Sequence, residues 1–171
     1  MPMKNRANSY DIIGDIHGHA DELKRLLNEL GYNRHRLGYR HPERALVFVG
    51  DFVDRGPAIA EVIQIARATV DAGDGYAVMG NHEYNAIAFH TERPGRKDDW
   101  YRPHTAKNQS QHQASLDQLA SGTQMSDTID WLKTLPVALE LDGIRVVHAA
   151  WRDGQIEMLN RSLESLGRFG A

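Results

Sequence analysis

The sequence contains no cysteine, and this absence excludes several kinds of site at once. Disulfide frameworks, thiolate metal ligands and thiol nucleophiles all require a cysteine. Any metal ion must therefore be bound by His, Asp, Glu, Asn or water. Such nitrogen and oxygen ligands suit Mn, Fe, Zn or Mg better than a soft metal.

Strong net charge and long apolar runs are also missing. The formal net charge is -3 over 171 residues, so no global basic field attracts nucleic acid or an anionic membrane. The stretch MPMKNRANSYDIIG lacks the apolar centre of a signal peptide, and no run approaches membrane-spanning length. We therefore expect one domain over residues 1–171, without a membrane partner and cytoplasmic by default.

Apolar residues alternate between short runs and helical spacing in the first half of the chain. Residues 10–14, 45–49 and 76–79 are short apolar runs, and each predicts a buried strand. Leucines at helical spacing predict a helix over residues 20–30, and Pro57 is expected in the first turn of a second helix. Strand, helix, strand, helix, strand is the pattern of an α/β sheet with right-handed crossovers.

The second half of the chain begins with a polar segment. Residues 91–125 carry charges and glutamines but few core-sized residues, which predicts an insertion or lid, in part helical around residues 114–119. A disordered surface loop is the alternative. A helix capped by Ser126, a β-hairpin around Asp142-Gly143 and an amphipathic helix from Ile156 through Leu166 are expected to follow.

Polar side chains follow four of the predicted strands. Asp15 and His17 follow the first strand, Asp51 the second, Asn81 the third, and His148 the second arm of the hairpin. Because ligands bind at the carboxyl ends of strands in open α/β sheets, we expect these five side chains to converge on one rim. An ordinary turn explains any one of these positions. Turns explain the whole set only if four coincidences occurred.

This set of ligands suits two divalent cations about 3.5 to 4 Å apart. Asp51, from the middle of the three early strands, is expected to lie between them. Asp15 and His17 would complete the ligands of one cation, while Asn81 and His148 would serve the other. A hydroxide that bridges both cations would be the nucleophile at neutral pH.

Three further residues are candidates for catalysis. His82 follows Asn81 directly and is expected to face the leaving group, which a cationic imidazole could protonate. Asp54 could orient and charge that imidazole, and Arg55 offers a planar fork to phosphate oxygens. The alternative for Asp54 and Arg55 is a mutual surface ion pair.

Four blocks of the sequence resemble those of the metallophosphoesterase superfamily, specifically its phosphoprotein phosphatase branch: Asp15-x-His17, Gly50-Asp51-Phe-Val-Asp54-Arg55-Gly56, Gly80-Asn81-His82-Glu83 and Val147-His148-Ala149. Within that branch the chain is similar to bacterial symmetrical bis(5'-nucleosyl)-tetraphosphatases and small Ser/Thr phosphatases. The resemblance implies a calcineurin-like α/β fold, a β-sandwich flanked by helices. It also implies a pair of divalent metal ions, Mn or Fe/Zn, bridged by Asp51, with His82 as general acid.

The implied function is hydrolysis of phosphoester or phosphoanhydride bonds by in-line attack of the metal-bridging hydroxide. A phosphorylated small molecule, a dinucleoside polyphosphate or a phosphoprotein would be the substrate, and Mn is the preferred metal. Trp100, Tyr101 and Arg102 could contribute to recognition by stacking on a nucleobase, or form a small cluster under the loop.

The resemblance has one departure. The family pattern carries a further histidine well downstream and usually a second phosphate-binding arginine before it, whereas no histidine follows His148. We therefore expect the chain to be truncated before the final strands and the last metal-binding block. The remaining histidines are expected to be solvated residues of loops, although any of them could take the place of the missing ligand: His19, His35, His41, His90, His104 and His112.

Two other interpretations stay open. A phosphoesterase fold without a complete second metal site could be a non-catalytic module that binds a nucleotide or a protein partner. Separately, the basic loop at residues 32–44 could form an RNA-binding face in which Tyr32 and Tyr39 stack on bases, although the acidic overall charge argues against it. The arginines of that face would be Arg34, Arg36, Arg40 and Arg44.

Overall fold

The structure is a computed structural model that describes residues 9–165. This part of the chain contains seven strands and six helices. The strands are β1 Ser9–Ile13, β2 Asn33–His35, β3 Gly38–Arg40, β4 Arg44–Phe48, β5 Gly75–Ala77, β6 Ala138–Leu141 and β7 Ile144–Val147. The helices are α1 Ala20–Glu29, α2 Ile59–Asp71, α3 Asn81–Phe89, α4 Ala106–Gln118, α5 Gln124–Leu132 and α6 Asp153–Ser165.

Three parallel strands form the central sheet, in the order β1-β4-β5. The apolar run of β4 is buried on both faces, because Leu46, Val47 and Phe48 have no exposed surface. Since the three strands are parallel, the loops that follow them lie at the same edge of the sheet. The predicted α/β pattern is confirmed, and β4 is the middle strand in space as well as in sequence.

The two faces of the sheet are covered differently. Residues of α1 and α2 pack with Phe48 and Phe52 in the larger core, while Val47 and Val78 contact Val146 of the β6–β7 hairpin in a smaller one. The predicted hairpin around Asp142-Gly143 is confirmed by its antiparallel pairing. Its second arm ends directly before His148 and so brings that residue to the edge of the sheet.

Several helix boundaries differ from the sequence prediction. Helix α2 begins at Ile59, so Pro57 precedes the helix instead of lying in its first turn. Helix α5 begins at Gln124 after Thr123, which puts Ser126 inside the helix and not at its cap. The last helix extends to Ser165, and Leu166 lies outside the described residues. The expected truncation before the final strands stays a prediction.

The segment of residues 32–44 is not a basic loop. It contains the antiparallel β2–β3 hairpin, which packs on α2, and only 2% of Tyr32 and 4% of Tyr39 is exposed. Two of its four arginines are paired, Arg40 with Asp74 and Arg44 with Asp11. The suggested RNA-binding face therefore lacks the aromatic residues that were to stack on bases.

The polar segment of residues 91–125 is ordered around the 13-residue helix α4, so the alternative of a disordered loop is wrong. The helix is longer than the predicted residues 114–119, and the prediction was too short because the inner face of the helix is mostly polar. His112 and Ser115 are buried there ahead of Leu119, and this face packs against α2. In the loop before α4, Trp100 stacks on His104, which in turn stacks on Phe89. Trp100 therefore belongs to a small aromatic cluster.

No helix within residues 9–165 is long and apolar enough to cross a membrane.

Candidate metal centre

Two loops at the carboxyl edge of the sheet are joined by backbone hydrogen bonds. The N–H of His17 donates to the carbonyl of Asp51 at 2.8 Å, and the N–H of Gly56 donates back to the carbonyl of His17 at 2.8 Å. A Cβ atom on Gly56 would lie 2.2 Å from that carbonyl oxygen, so only glycine allows the approach. The loop after β1 and the loop after β4 thus form one unit.

Five candidate site residues in these loops have a left-handed backbone. The φ angles are 52° at Asp15, 44° at His17, 57° at Asp51, 67° at Asp54 and 71° at Arg55. A non-glycine residue pays on the order of 1 kcal/mol for this conformation, and such strain concentrates at functional sites. The strained backbone therefore indicates that these loops position functional side chains and are not simple turns.

The convergence expected at the rim is present. Side-chain ligand atoms form two groups, each within 4.8 Å: His17, Asp51 and His82 in one, and Asp15, Asp51 and His148 in the other. Asp51 is common to both groups. Sequence order associated Asp15 with His17, whereas the structure groups it with Asp51 and His148.

Two histidines are held in the tautomer that leaves Nε2 free for a metal ion. The Nδ1 atom of His17 lies 2.9 Å from the carbonyl of Val53, and that of His148 lies 2.6 Å from the carbonyl of Val49. A carbonyl only accepts, so each Nδ1 carries the hydrogen and each Nε2 has a free lone pair in the neutral ring. Both Nε2 atoms face Oδ2 of Asp51, at 3.5 Å and 3.7 Å.

Asn81 adds a further oxygen to this arrangement. Its Oδ1 atom lies 2.9 Å from Nε2 of His148. With neutral His148, the facing Nε2, Asn81 Oδ1 and Asp51 Oδ2 atoms are all acceptors, and a proton or a cation among them is needed to offset their repulsion. The donor set, two imidazoles, carboxylates and an amide oxygen, therefore fits divalent cations such as Mn or Zn.

Glu83 fixes the backbone that carries Asp51. Its side chain is completely buried, and its two oxygens accept hydrogen bonds from the N–H groups of Asp51 (2.6 Å), Gly80 (2.9 Å), Phe52 (2.8 Å) and Val53 (3.3 Å). Burial raises the pKa of Glu83, although these N–H groups oppose the shift. Glu83 had no predicted role. Its position as third residue of a helix after Gly80 was the available signal.

Asp54 joins His82 to helix α4. Its Oδ2 atom lies 2.6 Å from Nδ1 of His82, and its Oδ1 atom accepts from Nδ1 of His112 at 2.7 Å and from the hydroxyl of Ser115 at 2.6 Å. Burial alone would raise the pKa of Asp54, but these three hydrogen bonds outweigh it and hold the pKa well below its usual range. The Asp54 carboxylate in turn raises the pKa of His82.

Arg55 is exposed and approaches the other side of His82. Its Nη2 atom lies 3.4 Å from Nε2 of His82. The alternative of a surface ion pair between Asp54 and Arg55 is wrong, because Asp54 is buried and both of its oxygens are engaged by His82, His112 and Ser115. The guanidinium thus remains available to an anion.

His112 was expected to be a solvated loop residue, and this expectation is wrong. It lies within α4, is 5% exposed, and its Nε2 atom is 3.1 Å from Nε2 of His90. Burial lowers the pKa of His90 to about 4, and the neighbouring His112 and His104 add to the effect. No apolar spacing marks α4 in the sequence, so its contribution to the site could be found only from the fold.

All eight predicted residues therefore lie around one rim, with His17, Asp51 and Asp54 buried and Asp15, Arg55 and Asn81 exposed. The metal-binding and catalytic roles assigned to them stay predictions. The structure adds Glu83, His112 and Ser115, which hold the backbone of Asp51 and the side chain of Asp54.

Comparisons with known proteins agree with the family resemblance of the four sequence blocks. The family model for calcineurin-like phosphoesterases matches residues 10–166. An asymmetrical bis(5'-nucleosyl)-tetraphosphatase of Halalkalibacterium halodurans is 50% identical over 74 residues, which are 43% of this chain and 30% of that protein. A symmetrical bis(5'-nucleosyl)-tetraphosphatase of Janthinobacterium sp. is 29% identical over 160 residues, covering 90% of this chain and 49% of that protein.

Among solved structures, the crystal structure of a putative diadenosine tetraphosphatase superposes with a TM-score of 0.53 at 26% identity. The match covers 82% of this chain and 50% of that one. The chain thus spans about half the length, or less, of the curated relatives that it matches.

Proposed function

The chain belongs to the calcineurin-like phosphoesterase family, and from this premise we propose that it hydrolyses phosphoester or phosphoanhydride bonds with the help of two divalent cations. The observation that carries the proposal is the position of Asp51, whose carboxylate is common to both groups of candidate ligands. The His82–Asp54 pair at the same rim supplies a candidate proton donor.

The relatives favour a dinucleoside polyphosphate as the substrate, since those compared above are named as bis(5'-nucleosyl)-tetraphosphatases. A phosphorylated small molecule and a phosphoprotein are the other candidates. We propose Mn as the metal, because the imidazole, carboxylate and amide ligands of this rim suit it, as they also suit Fe or Zn.

The ligands proposed for the two cations are Asp15, His17, Asp51, Asn81 and His148. When bound, the cations would stabilise the negative charge of the phosphoryl group and make water a nucleophile at neutral pH. Asp51 would offset the repulsion between them, because its carboxylate reaches both ligand groups. The carbonyls of Val53 and Val49 accept from Nδ1 of His17 and His148, so that in the neutral ring each Nε2 lone pair is free for this task.

His82 and Arg55 act on the substrate. The attacking oxygen is that of hydroxide, water that has already lost one proton to solvent. As its bond to phosphorus forms, the bond from phosphorus to the leaving oxygen breaks and the electron pair of that bond passes to the leaving oxygen. His82, oriented through Nδ1 by Asp54, donates its Nε2 proton there. The exposed Arg55 guanidinium, beside that nitrogen, binds the non-bridging phosphoryl oxygens.

The test is hydrolysis of p-nitrophenyl phosphate by the purified chain with Mn. Asp51→Asn should abolish turnover and lower the number of Mn ions bound per chain. The matched control is Asp21→Asn, because Asp21 is exposed on α1 and pairs only with Lys24 among the described contacts. Equal turnover by Asp51→Asn and the wild type would overturn the proposal. Absent turnover with one ion or none per wild-type chain would favour the binding-module alternative.

A further inference from the structure

A small cavity of about 110 Å³ opens beside His82, between helices α3 and α4. Asn85 and Phe89 of α3 line it, together with Gln111 of α4 and Arg102 from the preceding loop. None of these four residues is used in the function proposed above. The cavity is continuous with the candidate site, because Asn81 and Asp54 also line it.

Arg102 brings a positive charge to this cavity. Its guanidinium donates to Oε1 of Gln111 at 2.7 Å, and within residues 9–165 no carboxylate lies within ion-pair distance of it. The carboxylate that does line the cavity, Asp54, is fully engaged by His82, His112 and Ser115. A guanidinium bonded only to a neutral amide, with a second amide from Asn85 nearby, suits an anion.

The backbone holds Arg102 at this position. Its N–H donates to the carbonyl of Ala88 at 3.0 Å, and the N–H of Tyr101 donates to the carbonyl of Thr91 at 3.0 Å. These bonds tie the loop to the end of α3. The arginine therefore sits on a fixed backbone and needs only its side chain to adjust to a ligand.

The size of the cavity limits the ligand. Pockets for drug-sized molecules enclose about 300 to 1,000 Å³, so a cavity of 110 Å³ is too small for a nucleoside and suits a single phosphate group. The polar lining consists of one guanidinium, three amides, two imidazoles and the engaged carboxylate of Asp54, and the guanidinium and the amides can donate to phosphate oxygens.

We propose that this cavity is a subsite for the leaving-group phosphate of a phosphoanhydride substrate, held by Arg102 with Gln111 and Asn85. The inference rests on the function proposed above, in which His82 faces the leaving group. When the bond from phosphorus to the bridging oxygen breaks, the electron pair stays on the departing phosphate, and Arg102 stabilises that charge. A phosphoserine offers no phosphate on its leaving side, so the subsite favours a dinucleoside polyphosphate over a phosphoprotein.

The kinetic test compares diadenosine tetraphosphate with p-nitrophenyl phosphate, each with Mn. For Arg102→Ala we expect kcat/KM on the tetraphosphate to fall about 10- to 100-fold, as for a lost charge-assisted hydrogen bond, with a much smaller loss on the nitrophenyl ester. Gln111→Glu should give the same selective loss, because it keeps the contact with Arg102 but neutralises its charge. Arg96→Ala is the matched control, since Arg96 lies in the same loop and pairs with Asp99 outside the cavity.

A binding test separates this inference from the function on which it rests. Titration calorimetry of metal-free protein with pyrophosphate should show binding by the wild type and by Arg96→Ala, and weaker binding by Arg102→Ala and Gln111→Glu. That result without any turnover would support the subsite while the hydrolase proposal fails. Equal losses on both substrates, or pyrophosphate binding that is absent or indifferent to Arg102, would overturn the subsite.

Discussion

The Oδ2 atom of Asp54 lies 2.6 Å from Nδ1 of His82. Because a carboxylate only accepts, this bond fixes the hydrogen on Nδ1 and turns the opposite nitrogen of the ring towards Arg55. The same carboxylate is bound from behind by His112 and Ser115, so His82 is oriented by a residue that α4 itself orients. This order of dependence leads to two predictions.

The first prediction concerns the choice of leaving group. His82→Asn removes the proposed proton donor, and we expect kcat on an alkyl phosphate, whose alkoxide is a poor leaving group, to fall about 100- to 10,000-fold. Nitrophenolate departs without protonation, so the loss on p-nitrophenyl phosphate should be far smaller. Steady-state kinetics on both substrates is the measurement. The same factor of loss on both would exclude His82 as the acid.

The second prediction concerns His112, which lies outside both candidate ligand groups but lines the cavity beside His82. His112→Ala should lower kcat on the alkyl phosphate about tenfold with little change in KM, because Asp54 loses one of three hydrogen bonds. His112→Asn should restore most of kcat, since its amide also donates near the Nδ1 position. Gln109→Ala, at an exposed position of the same helix, is the control. If kcat falls only in proportion to the fraction of protein that is unfolded, His112 is merely structural.

The sequence was sufficient to predict the sheet and its rim, because there short apolar runs are followed directly by polar residues. The runs at β1, β4 and β5 predicted the parallel sheet, and the residues after them predicted the rim that carries Asp15, Asp51 and Asn81. Both inferences are local, because a strand is marked by its own residues and parallel strands end at the same edge.

The sequence failed where a segment is ordered by the site and not by an apolar face. Helix α4 buries His112 and Ser115, so its inner face looks like a solvated one in sequence. Tyr32 and Tyr39 were misread for the opposite reason, since a basic segment concealed two core residues. In both cases the packing partner is distant in sequence: Asp54 for helix α4, and helix α2 for the β2–β3 hairpin. No local sequence pattern indicates such a partner.

The third prediction concerns Glu83, whose buried oxygens accept four backbone hydrogen bonds. Glu83→Gln keeps the shape of the side chain but turns an NH₂ group towards N–H donors. We expect the free energy of unfolding to fall by about 2 to 5 kcal/mol, because two buried donors lose their acceptor. Denaturant titration measures the change, with the exposed Glu43→Gln as control. A change within about 0.5 kcal/mol, as is usual at surface positions, would show that the N–H groups find other acceptors.

The fourth prediction concerns Gly80, where no side chain fits. A Cβ atom there would lie 2.4 Å from Oδ1 of Asp51 and 2.6 Å from its backbone nitrogen. Gly80→Ala should therefore displace Asp51 and weaken Mn binding at least tenfold, which calorimetry can measure. Gly154→Ala is the control: it lies in α6 with nothing within 4 Å of the added Cβ, and should leave Mn binding unchanged. Normal Mn binding by Gly80→Ala would argue against Asp51 as a ligand.

The fifth prediction concerns the pH dependence of stability at His90. The pKa of His90 in the folded chain is about 4, below its ordinary value of 6.5, because the ring is partly buried and faces His112 and His104. Between these two values the unfolded chain binds a proton that the folded chain does not. The contribution of His90 is therefore complete above pH 6.5 and is lost as the pH falls towards 4. Since the ring is only partly buried, we expect a loss on the order of 1 kcal/mol.

Urea titrations at pH 7 and pH 4.5 measure it as the difference between the wild type and His90→Gln, which cannot be protonated in this range. The exposed His19→Gln should follow the wild type, and a His90→Gln protein as sensitive to pH as the wild type would refute the assignment to His90.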